Sequence, residues 1–157
     1  MDPIGIWQTV NNNKIEKTSS FSPVSPSITV NKLNIKTLSE LARYSKNNPK
    51  VPFGSIGVGS GQHLTGLDMS IILGMTINHI PYKDSSRLLI DLANNDISLA
   101  VQSAPSIMGY IQNGKINALA VLSHKRIDTL PDVATSAEQG FANLQSTLIL
   151  GLFAPAN

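Results

Sequence analysis

Val51-Pro52-Phe53-Gly54-Ser55-Ile56-Gly57-Val58-Gly59-Ser60-Gly61-Gln62-His63-Leu64 changes character part-way along its length. Its first part, Val51 to Ile56, has the apolar character of a buried strand. From Gln62 onward Leu64, Leu67, Ile71 and Ile72 recur at helical spacing until Gly74, so a helix is expected over 62–73 with those residues as its apolar face. Between them lies the densest glycine cluster of the chain. Glycine lets the backbone turn sharply and approach a ligand closely, and the first N–H groups of the following helix have no intrahelical acceptor. A strand, a glycine turn and a helix N-terminus in that order make an anion cradle.

Working outward, the alternation repeats. Toward the N-terminus, Ser27-Ile28-Thr29-Val30 is a short β-branched strand. Thr37-Leu38-Ser39-Glu40 then has capping-box spacing at the head of a helix with Leu38, Leu41 and Ala42 on one stripe, ended by Asn47-Asn48-Pro49. Toward the C-terminus, Thr76 to Pro81 is a strand, and Asp84 caps a helix that buries Leu88, Leu89 and Leu92. Ile97 to Val101 is a strand of nearly continuous apolar character. Ser103 and Pro105 start a helix with Ile107, Met108 and Ile111, closed by Gly114. Ala118 to Leu122 is a further strand, Thr135 to Glu138 repeats the capping box before Gly140, and Thr147 to Phe153 is a last strand. Residues 1–20 lack sustained periodicity and are expected to be a polar, poorly ordered leader. Apolar strands separated by helices of about three turns imply an α/β domain, with a mostly parallel sheet and helices on both faces. Right-handed crossovers bring the strand-to-helix turns to one edge, so the turns at 55–63, 82–86 and 102–106 should converge.

Composition excludes several functions. The chain has 157 residues, 41% hydrophobic and 14% charged, with net charge +2 and 5% aromatic residues. The basic residues are dispersed and aromatics are few, which argues against nucleic acid as a partner. There is no cysteine, and His63, His79 and His124 lack metal-ligand spacing, so no metal or cofactor is expected. The first twenty residues hold no basic segment followed by an apolar one, the pattern of an export signal, and no apolar run approaches the roughly 20 residues that span a bilayer.

The glycine cluster does not fit the familiar phosphate motifs. Gly54 and Gly59 have P-loop separation, but Ser60 occupies the lysine position; after Gly57 and Gly59 the third dinucleotide-fingerprint position is Gln62. Val58 stands where a nucleophile elbow requires glycine. The remaining set suits a carboxylate held by neutral donors: Ser55, Gly57, Gly59, Ser60, Gly61, Gln62 and His63 from the first turn, with Gln102 and Ser103 from the turn after the later strand. The competing readings are a glycine turn that packs for its own sake and a Ser103 that merely caps its helix. His63 is read as a neutral hydrogen-bonding residue that orients the loop, and Lys83 as a solvated lysine able to steer anions. No pair of carboxylates and no histidine beside a nucleophile appears, which favours binding over catalysis.

Several ordered blocks resemble one family. They are Phe21-Ser22-Pro23-Val24, Leu38-Ser39-Glu40-Leu41, Ser55-x-Gly57-Val58-Gly59-Ser60-x-x-His63-Leu64, His79-Ile80-Pro81-Tyr82-Lys83, Ser103-x-Pro105-Ser106 and Gly114-Lys115-x-x-Ala118-Leu119-Ala120-Val121. Leu130-Pro131-Asp132-Val133-x-Thr135-x-x-Glu138-x-Gly140 and Gly151-Leu152-Phe153-Ala154-Pro155-Ala156 follow. Together they resemble the extracytoplasmic solute receptors of tripartite tricarboxylate transporters, the Bug family. The resemblance implies a type II periplasmic-binding-protein-like fold whose two lobes close on a small carboxylate and deliver it to membrane permease subunits. It implies a periplasmic location and no enzyme activity. It also implies that residues 21–157 are the second lobe with its hinge strands, because family members of usual length continue on both sides. Two alternatives are a truncated remnant without ligand function and a small α/β enzyme using Ser60 and His63.

Overall fold

The computed structural model describes residues 8–11, 14–17, 26–31 and 33–147. Within the N-terminal stretch, β1 (Gln8–Asn11) and β2 (Lys14–Lys17) pair as an antiparallel hairpin, which the polar sequence there did not announce. The main sheet contains β3 (Pro26–Val30), β4 (Val51–Ser55), β5 (Ile77–Pro81), β6 (Leu99–Ser103) and β7 (Asn117–Val121), in the order β5-β4-β6-β3-β7. β4 runs parallel to both β5 and β6, while β3 lies antiparallel between β6 and β7. Four strands therefore share one direction and β3 opposes them. The strand expected at 147–153 falls, from residue 148 on, outside the described residues.

Among the described residues four helices cover the sheet: α1 (Leu38–Asn47), α2 (Gly61–Leu73), α3 (Ser85–Ala93) and α4 (Ala104–Gln112). One core joins Leu38, Leu41 and Met69 of α1 and α2 to Ile28, Phe53, Leu99 and Val101 of the strands. The other joins Leu88, Leu92 and Ile107 of α3 and α4 to Ala100 and Val121. Leu99 and Val101 face one layer and Ala100 the other, so β6 is buried on both faces and its apolar run needs no alternation.

The helix starts follow their caps. Thr37 Oγ1 accepts from Glu40 N at 3.2 Å, although Glu40 reaches back to Lys36 N, one residue before the cap. Asp84 Oδ1 accepts from Arg87 N at 2.9 Å. Thr135 and Glu138 form a reciprocal box, Glu138 N donating to Thr135 Oγ1 and Thr135 N to Glu138 Oε2, but the chain turns rather than continuing as a helix.

α2 departs from its expected face. Gln62, Thr65, Gly66, Met69 and Leu73 are its buried residues, whereas Leu64 is 54% and Ile71 78% exposed, and Leu67 is exposed as well. The cause is close packing: Gly66 lies against the Phe53 ring so tightly that a Cβ would overlap it. Thr65 Oγ1, on the same face, meets Ser146 Oγ at 2.8 Å. The helix is thus rotated to bring a small residue onto a large strand side chain, and the more apolar stripe is turned outward.

Candidate functional site

Because β4, β5 and β6 point the same way, the turns that follow them lie at one edge of the sheet. The β4–α2 turn is built on Gly57 (φ 126) and Gly59 (φ 80), conformations that residues with a Cβ rarely adopt. Ser60 caps α2: its Oγ accepts from His63 N at 3.2 Å and donates to Gly57 O at 2.8 Å. Ser55 Oγ accepts from Gly57 N at 3.2 Å, and Gly59 N donates to His63 Nδ1 at 3.1 Å. An Nδ1 that accepts is unprotonated, so the His63 ring acts on the loop as a neutral acceptor.

Gln62 ties this turn to β6. Its Oε1 accepts from Ile56 N at 3.1 Å, and its Nε2 donates to Gln102 Oε1 at 3.4 Å. Gln102 is 2% exposed, and its Nε2 is a buried donor with no partner among the described residues. Buried polar atoms are rarely left unpaired. The amides of Val58, Gly61 and Gln62 likewise have no acceptor among the described residues. Four neutral donors are therefore available around the first turn of α2, where the helix dipole favours negative charge.

Not every expected donor is free. The Ser55 hydroxyl and the amides of Gly57 and Gly59 are spent on holding the loop. Ser103 lies one residue beyond Gln102, but its Oγ donates to Ser106 Oγ at 3.1 Å and makes no side-chain cap to α4. The structure brings the β4 and β6 turns together through the Gln62–Gln102 pair and leaves Ser103 at their margin.

One residue was not singled out for the site from chemistry alone. His79 of β5 packs its ring on His63, centroids 4.1 Å apart, and its Nε2 lies 2.7 Å from Ser55 Oγ. Burial, then the neighbouring His63, lowers the His79 pKa from its ordinary value. The available signal was period 2: parallel pairing of β4 with β5 sets Phe53 opposite His79, and Ser55 follows Phe53 on the same face. Farther along, Tyr82 Oη donates to the largely buried Asp91 at 3.0 Å, and Arg87 pairs with the same carboxylate. Burial and then that hydrogen bond push the Tyr82 pKa up to about 12.

The family model described as the tripartite tricarboxylate transporter family receptor matches residues 10–157. The chain belongs to that family. It is 35% identical over 119 residues to a UPF0065 protein of Bordetella pertussis, a match covering 75% of this chain and 37% of the relative. Among solved structures, the periplasmic binding protein BugD superposes with a TM-score of 0.74 at 30% identity, covering 80% of this chain and 42% of BugD. The R. palustris protein Rpa4515, solved with adipate, gives 0.76 at 28% identity, covering 80% and 43%. The chain thus spans less than half the length of these receptors. Family and fold neighbours are periplasmic solute-binding proteins, not enzymes.

Proposed function

We propose that the edge formed by the β4–α2 turn and the end of β6 binds a small organic carboxylate as one lobe of a solute receptor. The receptor works in the periplasm and hands its ligand to membrane permease subunits of a tripartite tricarboxylate-type system. The observation that carries this reading is the buried Gln102 Nε2 without a partner among the described residues, beside a helix N-terminus with unclaimed amides. A carboxylate has acceptor capacity for several donors at once, and neutral donors hold it without the desolvation that a buried cation would cost. The adipate of the related Rpa4515 structure is an acid of this class.

Titration calorimetry of the chain with adipate and a panel of mono- and dicarboxylates tests this. Binding of at least one acid is expected, weakened about tenfold or more in Gln102→Leu, the effect of losing one charge-assisted hydrogen bond. Absence of heat with every acid, or binding that Gln102→Leu leaves unchanged, would overturn it.

A further inference from the structure

Carboxylate recognition by neutral donors leaves one feature of this edge unexplained, its pair of stacked imidazoles. His79 and His63 lie with ring centroids 4.1 Å apart and planes 30° from parallel, and each supports a different glycine of the loop. His63 Nδ1 takes the Gly59 amide at 3.1 Å. His79 Nε2 meets Ser55 Oγ at 2.7 Å, and that oxygen holds Gly57, accepting from its N–H at 3.2 Å and lying 3.0 Å from its carbonyl. The serine has one proton. It can donate to Gly57 O only when His79 Nε2 keeps its own proton and donates to the serine.

We propose that His79 is a positioning residue of this turn, and that its stack with His63 makes the closed turn a property of the unprotonated imidazole pair. Adding a proton at His63 Nδ1 converts the acceptor of the Gly59 amide into a donor facing another donor. Placing charge on His79, at Nδ1, leaves its Nε2–H on Ser55 but sets a cation against the positive end of α2 and against the His63 ring as that ring takes up its own proton. Among the described residues no carboxylate compensates. β4 presents Phe53 and Ser55 to His79, both uncharged, and among the described residues β5 is an edge strand with no further strand beside it. On α2 the one acid, Asp68, lies more than a turn beyond His63 and is exposed. After β5, Lys83 is exposed and Tyr82 is engaged with Asp91. Acidification therefore opens the turn, and the consequence for ligand, which rests on the carboxylate reading above, is weaker binding at low pH. An added positive charge alone would have the opposite effect on an anion, so the sign separates a conformational latch from simple attraction.

The test is a nuclear magnetic resonance titration of the 157-residue chain between about pH 8 and pH 5, the range of imidazole protonation. The Gly57 and Gly59 amide resonances are expected to move with the midpoints of the imidazole signals, and the protection of the Gly59 amide, its exchange measured against the intrinsic rate at the same pH, to fall about tenfold on losing its hydrogen bond. His79→Gln, which can still reach the serine but cannot titrate, should flatten the Gly57 step. His79→Phe, which keeps a stacked ring but frees Ser55, should displace Gly57 at every pH. Glycine amides that stay fixed while the imidazoles titrate would overturn the proposal, as would a His79→Gln chain with wild-type steps. If the variants do not fold, the wild-type titration decides by the same criterion. Adipate titrated into wild type and His79→Gln at about pH 7.5 and pH 5.5 supplies the second readout, the ligand's own protonation being common to both; an acid-end loss about tenfold larger in wild type is expected. Equal losses would remove the link to binding, whereas amide steps without any adipate binding would retire the carboxylate reading and support the latch.

Discussion

Ser60 shows how much one side chain does at this edge. Its hydroxyl satisfies an orphan amide of α2 at His63 and at the same time pins the Gly57 carbonyl. Ser60→Ala should cost about 1 kcal/mol of folding stability, the usual loss for a deleted N-cap. Urea unfolding measures it. A variant with unchanged stability but lost acid binding would show that the hydroxyl faces the ligand rather than the helix. Gln102 is the converse case: its oxygen is held by Gln62 while its nitrogen has no partner among the described residues, which costs stability rather than adding to it. His79 is a third kind, a strand residue whose effect passes through Ser55 to the loop.

At the scale of the element, α2 separates hydrophobicity from burial. Leu64, Leu67 and Ile71 form the more apolar stripe, yet the packed face is Gln62, Thr65, Gly66, Met69 and Leu73. Helical periodicity finds a stripe, but where a helix meets a sheet the fit of a missing Cβ against a ring can outweigh a few methylenes of transfer energy. Met69→Ala should therefore destabilise by about 2–5 kcal/mol, whereas Ile71→Gln should change stability by no more than about 0.5 kcal/mol. Thermal or chemical denaturation of the two variants checks the rotation directly, because the sequence pattern alone ranks them the other way. The caps fared differently: Thr37, Ser60 and Asp84 each hold the amide three residues on, since a cap is local chemistry with little for tertiary packing to override.

For the whole molecule, two cores share one sheet, with Leu99 and Val101 committed to one and Ala100 to the other. Loss of either layer exposes β6, so unfolding of the chain should be a single cooperative transition, coincident by far-ultraviolet circular dichroism and by hydrogen exchange of β4 and β6. Separate transitions for the two layers would contradict this and favour the remnant reading. The sequence by itself determined the α/β class, the family, the helix starts and the positions of the three turns, because strand apolarity, capping residues and glycine placement act over a few neighbouring residues. Only the tertiary structure decided that β3 runs against its neighbours, that α2 turns its apolar stripe outward, and that His79 packs on His63 beside Ser55. A strand buried on both faces has a pattern that reads alike in either direction, and a close approach such as Gly66 on Phe53 or His79 on His63 exists only once separate segments have been brought together.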